Sequence, residues 1–148
     1  MSKFDTDLNK AINNIEGAVE KAVRGAAIEM FSEIVRRTPV GNPALWQGDA
    51  PAGYTGGRLR GNWQTSISRP NYAVTNNTDA SGAAVTGQMI STVKRYNLSD
   101  DSIWFTNNLP YADRVENGWS TQRPQGMVRS TVKMFKPLIE SIARIEKI

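Results

Sequence analysis

Apolar residues recur at three- and four-residue steps through the first quarter of the chain. Leu8, Ile12, Ile15, Val19, Ala22/Val23, Ala26, Met30 and Ile34 form one stripe at the helical period, which predicts a helix over residues 7 to about 37. Asp5 or Thr6 can cap its start. Pro39 ends it, because the residue before a proline is pushed out of the α region. A helix of about 30 residues is about 45 Å long, more than a domain of this size needs to cover one sheet. Gly17 and Gly25 weaken it by roughly 1 kcal/mol each relative to alanine. Two outcomes suit the overhang: packing on another subunit, or a kink that folds the helix back on its own sheet.

The pattern changes after Thr38-Pro39-Val40-Gly41. Residues 40–57 carry two prolines, five glycines, Leu45, Trp46 and Tyr54. Loops longer than about 12–15 residues are usually functional or disordered, and large aromatics gain stability only by burial, so an ordered binding loop is expected. Thr55-Gly56-Gly57-Arg58-Leu59-Arg60-Gly61-Asn62-Trp63 then hands the helix over to a sheet. Arg58 and Arg60 are expected to share one face of the entering strand, with Leu59 on the other.

Residues 61–69 read as a first strand, with Trp63, Thr65 and Ile67 on one face. Residues 72–87 are small and polar and read as a long turn or weak hairpin. Residues 88–96 read as a second strand, and residues 102–106 as a short third one rich in β-formers. Tyr111 to Glu116 predicts a single helical turn. A second long helix follows from about Gln125 to Ile148, with the stripe Val128, Val132 (or Thr131), Phe135, Leu138/Ile139, Ile142 and Ile145. The order predicts one α+β domain over residues 1–148: a small antiparallel sheet packed against two long helices, N- and C-terminal, with a long Pro/Gly/aromatic loop. Trp63, Ile67, Trp104 and Phe105 are expected to pack against both helix stripes.

Composition narrows the chemistry. The 148 residues include no cysteine and no histidine. That excludes disulfides, thiolate or imidazole metal sites and Ser-His-Asp catalysis. No metal or cofactor is expected. Asp113 and Glu116 would share a helix face, and Asp100 and Asp101 adjoin, yet such pairs are most often turn formers or solvated charges. Gly48 to Gly53 lacks the Lys-Ser/Thr of a phosphate loop. No catalytic residue is expected and the chain does not read as an enzyme. No apolar run reaches membrane-spanning length and no signal peptide opens the chain, so a soluble protein made in the cytoplasm is expected. The net charge of +4 equals the excess over Arg36–Arg69, which holds five arginines and one acid, Asp49. Such a bias suits phosphate or an acidic protein surface. Among the four tryptophans, Trp63 and Trp104 fall in predicted strands and read as core or interface residues rather than a platform for stacking bases.

Four blocks carry a resemblance. They are Thr38-Pro39-Val40-Gly41; Gly57-Arg58-Leu59-Arg60-Gly61-Asn62-Trp63; Thr106-Asn107-Asn108-Leu109-Pro110-Tyr111-Ala112-Asp113-Arg114-Val115-Glu116-Asn117-Gly118; and Pro124-Gln125-Gly126-Met127-Val128-Arg129. In this order the chain resembles the tail-component family of tailed bacteriophages, tail-completion or neck proteins of the minor tail protein Z type, over about residues 25–135. Where many members join the first two blocks through a short Asp-Thr-Gly, this chain has the 40–57 insertion. The resemblance implies a virion structural protein at the head–tail junction. It would form a hexameric ring, contact the head–tail connector or adaptor and the tail terminator or tube, and line the DNA channel without reading sequence. On that reading Arg36, Arg37, Arg58 and Arg60 would face Asp113 or Glu116 of a neighbouring subunit, with Leu45, Trp46 and Tyr54 docking on an adjacent ring. The alternative is a nucleic-acid-binding or other oligomeric interaction module.

Overall fold

A computed structural model describes residues 2–146, and side chains as far as Arg144. The first helix, α1, is longer than the pattern predicts, Lys3–Arg37. Its cap is Ser2 rather than Asp5 or Thr6. The Ser2 hydroxyl accepts the Asp5 N–H at 3.1 Å, and the Asp5 carboxylate accepts from the Ser2 N–H and hydroxyl. Those bonds hold the Asp5 carboxyl below its ordinary value. At the far end Thr38 is the cap residue, extended as the position before Pro39 must be.

The predicted strand over 61–69 is shorter than expected and is preceded by a helical turn. Residues Arg58–Gly61 form one helical turn, α2, and only Gln64–Ile67 are strand, β1. Gly57 makes the turn possible, with a φ of +100°; a Cβ there would lie 2.5 Å from the Ala80 amide nitrogen. As Arg58 and Arg60 are helical, they do not share a pleat face and take different partners.

The second correction is larger. Residues 88–93 of the predicted strand 88–96 belong to a helix, α3, Ala83–Val93, which also absorbs the end of the predicted 72–87 turn, and residues 94–96 follow it outside any element. The Asp79 carboxylate accepts the N–H groups of Gly82 and Val85 and starts it. Val85, Met89 and Val93 bury its inner face.

The predicted third strand holds as β2, Ile103–Thr106. It runs antiparallel to β1, with Gln64 opposite Thr106 and Ile67 opposite Ile103. Between two flat neighbours, Phe105 stacks on Phe31 of α1 at 4.4 Å and on Trp63 at 4.7 Å, both within 10° of parallel. Period-two alternation puts the adjacent Trp104 on the opposite face, so it lies in solvent, not in the core as expected. The turn α4, Ala112–Glu116, matches its prediction, and α5 spans Val128–Glu146, starting three residues late. The predicted end at Ile148 and the Ile145 side chain lie outside the described residues. α5 packs against α1; of the two alternatives in its stripe Thr131 is fully buried and Val132 is not, and Val132, Leu138 and Ile139 keep about 40% of their surface exposed.

Candidate interaction site

The four blocks quoted above are distant in sequence and adjacent in space. Thr38 is fully buried; its hydroxyl donates to the Ile34 carbonyl at 2.7 Å and accepts the Trp63 indole N–H at 2.7 Å. Arg60 donates to the carbonyls of Thr38 (2.6 Å), Arg36 (3.3 Å) and Ala80 (2.6 Å), and so satisfies the open end of α1. Burial lowers its hold on the proton, Asp79 works against that, and the guanidinium stays charged. The Asn62 side chain donates to the Arg58 carbonyl and accepts the Thr75 N–H, while Asn107 donates to Leu59.

Glu116 links the last two blocks. Its carboxylate accepts the N–H groups of Met127 (2.8 Å), Val128 (2.8 Å) and Arg129 (2.9 Å), capping α5 from outside its own segment. Burial raises its carboxyl, but these bonds together with Arg129 outweigh it and bring it below the ordinary value. Gly126, with φ +80°, lets the backbone pass; a Cβ there would sit 2.4 Å from the Glu116 carbonyl oxygen. Asp113, its expected companion, is exposed and accepts from Asn117 instead, so the two carboxylates do not act as a pair.

Beside this framework the 40–57 loop is ordered by its own bonds. The Asn42 side chain accepts the Ala44 N–H, capping a single 3-10 turn at Pro43–Leu45. Trp46 meets Tyr54 edge-on at 4.8 Å. The two loop ends touch, since a Cβ on Gly56 would come within 3.0 Å of the Gly41 carbonyl oxygen. Opposite stands the 119–122 segment, held by Gln122 on the Val40 carbonyl (3.2 Å) and Arg123 on that of Arg37 (2.7 Å).

A cleft of about 910 Å³ opens between the two walls. Leu45, Trp46 and Tyr54 line one side; Tyr111, Val115 and Trp119 line the other; Arg58 and the buried Leu59 form the floor. Trp119 is 69% exposed, with the Arg114 guanidinium 4.7 Å over its ring. Burial pushes the Tyr111 phenol up, against the pull of Arg58. Aromatic faces with a few polar groups at the rim are the lining expected of a binding cleft.

No protein-family model, curated protein or solved structure matches this chain.

Sequence reasoning singled out one wall of the cleft, Leu45, Trp46 and Tyr54, and missed the other, because Tyr111 and Trp119 carry no pattern that separates them from core aromatics. The arginines part company. Arg36 and Arg37 both pair with Glu33, and Arg37 also reaches Ser130. Among the described residues Arg58 makes long contacts, to Thr75 at 3.4 Å and Asn76 at 3.3 Å, and stays exposed. Among the described residues no cluster of three metal-ligating side chains occurs, and no helix is long and apolar enough to cross a membrane.

Proposed function

We propose that the chain is a structural virion protein of a tailed bacteriophage, a tail-completion or neck protein that joins tail to head connector as a ring of six copies. The four-block resemblance motivates this reading. The observation that carries it is the aromatic cleft: Trp46, Tyr54 and Trp119 keep 41%, 37% and 69% of their surface exposed, on segments that hydrogen bonds already fix in shape. Aromatic side chains held in place before contact lose little entropy on docking, and they are the residues that most often dominate interfaces. The occupant on this reading is a segment of the adjacent ring.

The rival reading, a nucleic-acid-binding module, draws on the arginine bias. It has less support, since Arg36, Arg37 and Arg60 are engaged by their own chain. Steeply salt-dependent binding of the isolated protein to short duplexes would favour it.

Because the loop ends touch, residues 42–55 can be replaced by Gly-Gly without pulling the framework apart. The shortened protein is expected to melt close to the full-length one and to fail in joining tails to filled heads in vitro. A folded variant that still yields joined, infectious particles overturns the proposal.

A further inference from the structure

The first turns of α1 run past the rest of the molecule. Residues 3–18 are exposed, and the body begins at buried Val19, where Glu20 accepts the Leu98 N–H and Arg24 donates to the Tyr96 carbonyl. Asn9, Asn13, Asn14 and Gly17 are poor helix formers, and an isolated helix of this length is marginal in water. Along it Phe4, Leu8, Ile12 and Ile15 stand 72%, 46%, 44% and 55% exposed, in steps that place all four on one side. A weak helix with an apolar stripe in solvent is built to be covered.

The same chain offers a cover. Between α1, α5 and the start of β2 lies an open groove of about 350 Å³, lined by Val23, Met30, Tyr96, Ile103, Ile139 and Ile142. The charge of the first turns is opposite to that of the α5 wall of the groove, while the α1 wall, residues 20–33, is close to balanced with three acids and two basic side chains. Residues 3–18 carry two lysines against three acids, while residues 129–144 of α5 carry four basic side chains against one acid. We propose that the Phe4–Ile15 stripe of one copy lies in the α1/α5 groove of a second copy, helix in groove.

Stripe and groove are unlike surfaces, so the contact passes from chain to chain and closes a ring where the rotation allows. Four side chains bury on the order of a few hundred Å², below the ~800 Å² per partner of a standard interface. A single contact is therefore weak, and a closed assembly in which every chain makes two is favoured. The proposal gives the self-contact of the ring put forward above, and rests on that reading for the number of copies.

The absence of native cysteine gives a clean test. Ile12→Cys and Ile139→Cys chains, mixed under mild oxidation, are expected to form a disulfide between unlike chains. Lys10→Cys, on the opposite side of the helix, is expected not to join Ile139→Cys. Leu8→Glu with Ile12→Glu should reduce the native mass to one chain without changing the melting of the body. Equal cross-linking through Lys10→Cys, dominant pairing of Ile12→Cys with itself, or an unchanged mass of the double glutamate variant each overturns the contact. Native mass and phage assays separate this from the reading it rests on. The expected cross-link at a mass of two chains keeps the contact and removes the ring. Normal head–tail joining by the double glutamate monomer leaves the contact standing and shows that the virion role does not need the ring.

Discussion

At Thr38 one hydroxyl closes the end of α1 and receives the Trp63 indole, and both bonds are buried. Thr38→Val keeps the shape and leaves the indole N–H buried without a partner. An unsatisfied buried donor costs about 1–3 kcal/mol, so the urea midpoint should fall accordingly, with Thr38→Ser closer to wild type. Glu116 makes a comparable point with a charge. Its folded carboxyl binds a proton only below the ordinary value of 4.5 that it has in the unfolded chain. Its contribution is therefore complete above that pH and fades as the pH falls through the folded value. Glu116→Gln should cost about 0.5–2 kcal/mol near neutrality, in the range of a lost helix cap. The gap between the two proteins should close on acidification, and equal unfolding curves at pH 7 would remove the cap assignment.

Among the elements, α3 shows where sequence reading fails. Val85, Met89 and Val93 are four apart, and four is even, so the same residues share a helix face and a strand face. The β-branched Ile90, Thr92 and Val93 tip a local reading towards strand. The side chain that decides for helix, Asp79, caps α3 from before it, inside a stretch that carries no periodicity. α1 and β2 were legible because their signals are local: a long stripe, and a short apolar run between turns. The division of 58–67 into turn and strand depends on the segment around Ala80 lying over Gly57, which no local pattern encodes. Burial of the two helices separates their mutants. Met89→Ala, at a fully buried site, should cost about 2–5 kcal/mol. Phe135→Ala should cost clearly less, since Phe135 of α5 is only half-buried. A reversed order in chemical denaturation would mean that α5, not α3, fills the core.

On the scale of the whole molecule, the residues most recognisable in the sequence hold the fold together, and those available to partners are less patterned. Thr38, Arg60, Trp63 and Glu116 are turned inward on their own chain. Of the predicted docking residues, Leu45, Trp46 and Tyr54 do reach a surface, while Trp119 across the cleft and Phe4 ahead of the predicted helix start went unseen. The tryptophans divide along the same line. Trp63 is 7% exposed and hydrogen-bonded, whereas Trp46 and Trp104 are each 41% exposed and Trp119 69%. Indole emission shifts to the red as its surroundings become wet, so most of the red shift on denaturation should come from Trp63 and vanish in Trp63→Phe. Quenching by acrylamide should fall mainly on the other three, and shielding of Trp46 and Trp119 should report anything that enters the cleft. Loss of the fold and occupation of the cleft are thus written in different chromophores of one chain, readable without a label.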